Sequence, residues 1–232
     1  MGLSSQEIDA IHKRARRRPL GVCVHEKFGH VVGIPPGLRG FKDPIFSLMP
    51  GSVHVAVEIG TCQGWFAYRM AKFLPETARI FCVDPFYDDE GEGYDGEYNL
   101  SCWKKNVREW FGRRIFLKRG ESFHEAEKWG NGVPVDFLFI DGDHRFEAVL
   151  LDLEGWVPKV RPGGLIAGHD IDGKWGANIK KALENYCAKA GIEQVHTGKA
   201  YSFTGKQVTP CWWFYKPVPK EAGGDAVWRW EK

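Results

Sequence analysis

The chain lacks most of the features that mark easily named protein classes. No apolar run approaches the roughly 18 residues of a membrane span, and no apolar segment of the secretory type stands near the N-terminus. The formal charge is only +2, with acidic and basic residues interleaved, so no whole-molecule field calls for nucleic acid or a membrane as partner. The six cysteines contain no CxxC pair, and several fall in predicted strands or helices, which reads as a set of reduced core thiols in a cytoplasmic protein. Internal repeats and long low-complexity tracts are also missing. At 232 residues the chain suits one α/β domain with a decorated N-terminus.

One further absence is specific. The run Val53-His54-Val55-Ala56-Val57 is nearly continuously apolar and β-branched, as in a strand buried on both faces, and it ends at Glu58. A glycine turn, Glu58-Ile59-Gly60-Thr61-Cys62-Gln63-Gly64, leads into a helical pattern from Trp65 to Leu74 that Pro75 stops. A second strand, Arg79 to Val83, closes on Asp84. This βαβ unit has the form that receives a nucleoside at the carboxyl edge of a parallel sheet. A dinucleotide fingerprint needs a small residue five places after the first glycine, where Trp65 stands, so NAD and FAD are disfavoured. Gly60 and Gly64 still let a ligand approach the backbone closely. Glu58 is placed to meet an ammonium group or ribose, and Asp84 to accept from ribose hydroxyls. A ligand with a sugar, a base and a positive charge fits, namely S-adenosylmethionine.

The flanking segments carry weaker signals. Ser4 to Glu7 can cap a helix containing Ile8 and Ile11, which runs into the basic cluster Lys13-Arg14-Arg16-Arg17-Arg18; such a cluster is most often a solvated face. Gly21 to Gly40 reads as an irregular arm in which His25 and His30 share no imposed face. Residues 1–52 are thus a helix and arm, 53–216 the ligand-binding domain, and 217–232 a tail. After Asp84 the acidic stretch Pro85 to Tyr98 lies on the ligand face as a prospective lid. A helix is expected from Asn99 to Phe111 and a strand from Arg114 to Leu117. Gly120-Glu121-Ser122 then places a glycine beside a polar residue, suited to an adenine ring.

Two later strands bring more chemistry to the same edge. Val135 to Ile140 ends in Asp141-Gly142-Asp143-His144, and after a helix from Phe146 to Val157 and the turn Arg161-Pro162-Gly163-Gly164, Leu165 to Gly168 ends on His169-Asp170. Carboxylates converging on one edge repel unless protonated, hydrogen-bonded or bridged by a cation, and a divalent metal is the economical answer. A helix from Gly176 to Ala190 follows. The strand pair Gln194–Phe203 and Val208–Tyr215 predicts an antiparallel edge.

In this order the pieces resemble the class I S-adenosylmethionine-dependent methyltransferases. Within them they are similar to the cation-dependent small-molecule O-methyltransferases of the catechol, caffeoyl-CoA and macrocin-like types, over Val53 to Tyr215. The resemblance implies a Rossmann-like, doubly wound α/β fold whose seven-stranded sheet is mostly parallel, with an antiparallel C-terminal edge hairpin. It places the cofactor at Glu58, Gly60, Thr61, Gly64, Asp84, Ser122 and Asp141, with Cys62 where the wider class commonly has glycine. A divalent cation, Mg²⁺ or a transition metal, falls to Asp141, His169 and Asp170, the His169 nitrogen departing from the usual pattern. His144 stands where those enzymes have a lysine and is the expected base, with Asp141 beside it in catalysis. The implied partner is a hydroxylated small molecule, and the arm and aromatic tail suggest a homodimer. Two rival expectations are a metal-free methyltransferase using Asp143, His144 and His169 as an acid/base set, and a silent module that binds cofactor or, through its basic helix, RNA.

Overall fold

The computed structural model describes residues 45, 48–49, 53–88, 94–130, 133–172, 174–201 and 207–219. The basic helix, the histidine-bearing arm, the centre of the acidic loop and all but the start of the tail lie outside the described residues. The described elements run β1 (Val55–Ile59), α1 (Trp65–Phe73), β2 (Arg79–Val83), α2 (Gly96–Asn106), β3 (Ile115–Lys118), α3 (Ser122–Lys128), β4 (Val135–Ile140), α4 (Phe146–Trp156), β5 (Val160–Gly168), α5 (Gly176–Ala190), β6 (His196–Tyr201) and β7 (Gln207–Tyr215).

They form a seven-stranded sheet in the order β3-β2-β1-β4-β5-β7-β6. The pairs β1–β2, β2–β3, β1–β4 and β4–β5 are parallel, while β7 runs antiparallel to both β5 and β6. Strand order reverses between β1 and β4, so the crevice for a ligand opens at their carboxyl ends, where the chain departs in opposite directions.

Alternation along the central strands divides the core into two layers. Ala56, Ile80, Phe137, Phe139, Leu165 and Ala167 pack with Ala67 and Met70 of α1 and Leu100 and Trp103 of α2. Val57, Ile59, Leu138, Ile140 and Ile166 pack with Leu153 and Trp156 of α4 and Ile179 and Leu183 of α5. Two of the fully buried indoles pair their N–H groups: Trp103 donates to Thr61 Oγ1 at 3.0 Å, and Trp156 donates to Ser122 Oγ at 2.8 Å.

Three of the shifts from the expected boundaries have a plain physical cause. β1 extends through Glu58 to Ile59 because both residues pair with β2 and β4. The helix expected from Asn99 starts earlier, where the Asp95 side chain accepts from Tyr98 N, and it ends at Asn106 in turns. The expected turn Arg161–Gly164 instead lies inside β5. Val160 pairs with Val135 and Leu165 with Phe137, so two steps along β4 are matched by five along β5 and the intervening residues bow out.

The described start of the chain is anchored away from the crevice. Tyr215 Oη donates to Leu48 O at 2.7 Å, and Tyr215 pairs with Leu165, at the opposite end of the β5–β7 ladder from Gly168 and Trp212.

Candidate active site

The glycine turn is shaped by the close approach of β1 and β4. Gly60 lies at φ 80°, its N–H donates to Val83 O at 2.9 Å, and a Cβ there would stand 2.2 Å from the Asp141 carbonyl oxygen. Only glycine tolerates that combination. Cys62 also has positive φ, at 47°, and its N–H donates to Asp84 Oδ2 at 2.9 Å, so the turn is stitched to the end of β2.

Four side chains assigned to the cofactor have partners inside the protein. Glu58 is 2% exposed and accepts from the Thr61 hydroxyl at 2.6 Å. Burial pushes its carboxyl from the ordinary 4.5 up to about 8, against the Thr61 and Cys82 hydrogen bonds, with the charges of Asp141 and Asp84 adding to the rise. Burial thus favours the protonated form of Glu58, and a cation brought beside it would favour the anion. Asp84 accepts from Cys62 N through one oxygen and from Phe86 N through the other, the latter at 2.8 Å; burial raises its pKa to about 6. Each oxygen keeps a second lone pair. Ser122 accepts from Trp156 and bonds the buried Asp152. Thr61, Glu58, Cys82 and Trp103 thus form one buried polar cluster beneath the turn.

The chemistry at the ends of β4 and β5 is more concentrated than the sequence indicated. His144, 4% exposed, directs Nε2 between Asp141 Oδ1 at 3.4 Å and Asp170 Oδ2 at 3.5 Å. Burial alone would lower the imidazole pKa, but the hydrogen bond and charge of Asp141, with the charges of Asp170 and Asp143, hold it above the ordinary 6.5. Its Nδ1 is buried with no hydrogen-bond partner. The ring borders a small recess that the apolar Ile140, Val149, Ile179 and Trp212 line together with Asp143 and His169. Asp170 adopts φ 58°, a left-handed conformation that aspartate tolerates better than most residues.

Asp141, His144 and Asp170 form a cluster that could share an ion, their ligand atoms lying within 4.8 Å of one another. His144, expected as the base, thus stands with the two expected carboxylate ligands, and the expected ligand His169 lies beside Asp170. The His169 Nδ1 is 3.7 Å from Asp170 Oδ2, and its pKa is well above the ordinary value because hydrogen bonds to Asp170 and Cys211 outweigh burial. Asp143, expected in an acid/base set, is instead paired with Arg145, which donates its backbone N–H to Oδ1 at 3.0 Å and its Nε to Oδ2 at 2.6 Å.

The donor set suits a divalent ion. Two donors each about 2.1 Å from an ion at a tetrahedral angle stand about 3.4 Å apart, close to both spans from His144 Nε2, whereas these spans are long for hydrogen bonds.

Sequence reasoning missed Asp152. It is buried in α4, its pKa raised to about 7 by burial, and its Oδ2 lies 3.8 Å from where a Cβ on Gly142 would stand. The available signal was a charged residue inside the apolar run Val149-Leu150-Leu151-Asp152-Leu153, one helical turn from Val149 and Trp156.

With this geometry established, residues 57–171 match a family model described as a methyltransferase domain. Residues 57–171 thus read as a methyltransferase domain. They run from β1 through Asp170, so the match takes in both the glycine turn and the Asp141–His144–Asp170 cluster. Uncharacterized protein y4gI of Sinorhizobium fredii is 25% identical over 174 residues, which are 68% of this chain and 19% of that protein. The chain therefore spans about a fifth of the length of this relative. Among solved structures, the O-methyltransferase TomG from Streptomyces achromogenes, in complex with SAM, aligns with a TM-score of 0.53 at 11% identity, over 71% of this chain and 74% of that one. A putative rRNA-methylase from Clostridium thermocellum aligns with a TM-score of 0.53 at 14% identity, over 75% and 93% of the two chains. At these identities the likeness establishes the fold of the methyltransferase domain, a Rossmann-like sheet with an antiparallel C-terminal edge. Among the described residues no helix is long and apolar enough to cross a membrane.

Proposed function

We propose that the methyltransferase domain moves a methyl group from S-adenosylmethionine to a hydroxyl oxygen of a small molecule, at a divalent-cation site formed by Asp141, His144 and Asp170. The observation that carries this reading is the convergence of one imidazole nitrogen and two carboxylates at adjoining strand ends of the crevice. The fold shared with TomG, an O-methyltransferase by name and bound to SAM, supports the cofactor and the acceptor atom.

The sulfonium is already activated, so the protein has two tasks: to bring acceptor oxygen, methyl carbon and sulfur into line, and to make the oxygen nucleophilic. The first falls to the crevice between β1 and β4. With Glu58, Thr61, Asp84 and Ser122 holding one another and the backbone, the turn from Gly60 to Gly64 meets the cofactor mainly through its peptide groups. Asp141 links the two tasks, since its N–H donates to Ile59 O at 2.9 Å and its carboxylate faces His144. An ion held by Asp141, His144 and Asp170 supplies positive charge that lowers the pKa of an adjacent hydroxyl. Vicinal hydroxyls, as in a catechol or sugar diol, suit such a site.

A second reading has its own support. Two carboxylates beside His144 stabilise an imidazolium, as a base needs after it has taken a proton, so His144 can act without an ion. Transfer of labelled methyl to a panel of catechols and sugar diols, with and without chelator, separates the two. The first reading expects activity that chelator abolishes and divalent ions restore, with Asp141→Asn and Asp170→Asn losing about a hundredfold or more in turnover while retaining cofactor binding. Full activity in chelator selects the second. Label found only on nitrogen overturns the oxygen acceptor in both, and label found only on added RNA overturns the small-molecule acceptor.

A further inference from the structure

We infer that the Asp141–His144–Asp170 site selects a transition ion with affinity for nitrogen, of the zinc or cobalt type, over Mg²⁺, and that His144 is the residue that imposes this choice. The inference rests on the proposed cation site and names its occupant.

The donors are two carboxylate oxygens and one imidazole nitrogen. Mg²⁺ favours oxygen ligands in a near-octahedral shell and keeps several waters, whereas imidazole suits zinc, cobalt and iron. The spans of 3.4 and 3.5 Å from Nε2 to the two carboxylates are short enough for the imidazole nitrogen to share one ion with both.

The nitrogen cannot readily withdraw to leave an oxygen-only site. His144 is 4% exposed and its Nε2 stands between the two carboxylates, so burial and both contacts hold the nitrogen at the site. Three protein donors would leave an ion held there room for a further ligand.

Any mixed nitrogen and oxygen site ranks zinc and cobalt above Mg²⁺, so the wild-type preference alone does not decide the matter. The decisive quantity is how far that preference depends on His144. Full-length protein is stripped with chelator, and affinities for Zn²⁺, Co²⁺, Mn²⁺ and Mg²⁺ are measured by competition with a chromophoric chelator for the wild type, His144→Gln and His169→Gln. The visible spectrum of the Co²⁺ form is recorded for each, and retained S-adenosylmethionine binding shows that each variant is folded.

The expected result is that His144→Gln weakens Zn²⁺ and Co²⁺ by at least about tenfold more than it weakens Mg²⁺, and removes the intense tetrahedral Co²⁺ bands. His169→Gln, whose ring touches Asp170, should weaken all four ions alike and leave their relative affinities and the Co²⁺ bands unchanged. An equal loss for all four ions in His144→Gln overturns the selectivity but leaves the cation site standing, as does wild-type protein that binds Mg²⁺ as tightly as Co²⁺. The second comparison needs no variant to fold. Wild-type protein that binds none of the four ions, while still binding S-adenosylmethionine, overturns the cation site itself.

Discussion

Gly60 and Gly112 have nearly the same backbone angle, φ 80° and 73°, but different surroundings. A Cβ at Gly112 meets nothing within 4 Å, whereas one at Gly60 would stand 2.2 Å from the carbonyl oxygen of Asp141. Gly112→Ala should therefore cost only the left-handed strain, about 1 kcal/mol, while Gly60→Ala must also push β1 and β4 apart and should cost more than about 3 kcal/mol, read by urea denaturation. Glu58 gives a pH prediction at the same scale. Its native pKa of about 8 lies above the ordinary 4.5, so between those values the native state holds a proton that the unfolded chain has released. Its contribution to stability is complete below about pH 4.5 and is lost as pH rises through 8, by at most about 1.4 kcal/mol per pH unit. Glu58→Gln should flatten the decline in unfolding free energy between pH 5 and 8.5. Some slope should remain, because Asp152, at about 7, and Asp84, at about 6, titrate in the same sense.

Helix α1 shows how an element can depend on a residue far away in sequence. Its last carbonyls and those of the following turn receive the Arg114 guanidinium, which donates to Ala71 O at 3.1 Å, Leu74 O at 3.2 Å, Pro75 O at 2.6 Å and Ala78 O at 3.3 Å. A cation at a helix C-terminus is favourable on dipole grounds, and the planar fork reaches acceptors that a single ammonium cannot span. Arg114→Ala should cost about 2 kcal/mol in chemical denaturation, and Arg114→Lys should recover only part of it. In sequence Arg114 reads as the first residue of a strand, because nothing local marks a side chain that turns back onto α1. By contrast β2, β4 and α5 lie where periodicity places them, Arg79–Val83, Val135–Ile140 and Gly176–Ala190, since each carries its burial pattern within its own residues. Strand β5 departs from expectation because its path is set by Val135 and Phe137 on the neighbouring strand, which no local pattern records.

Across the whole molecule, two helical layers pack on one sheet whose carboxyl edge gathers Glu58, Asp84, Asp141 and Asp170. A cofactor in that crevice touches β1, β2 and β4 together, so its binding energy should stabilise the fold as a unit. S-adenosylmethionine at about 100 times its Kd should add about 2.7 kcal/mol to unfolding and raise Tm by roughly 5–10 °C in calorimetry. An unchanged Tm would show that the native crevice does not take the cofactor. The sequence by itself determined the order of strands and helices, the glycine turn and the carboxylates at the strand ends, because alternation, glycine spacing and chain direction are local properties. Only the tertiary structure decided which imidazole stands between Asp141 and Asp170. It also decided that burial raises the pKa of Glu58 and that Asp143 belongs to Arg145, because burial and distances between neighbouring strand ends arise only when separate segments pack together.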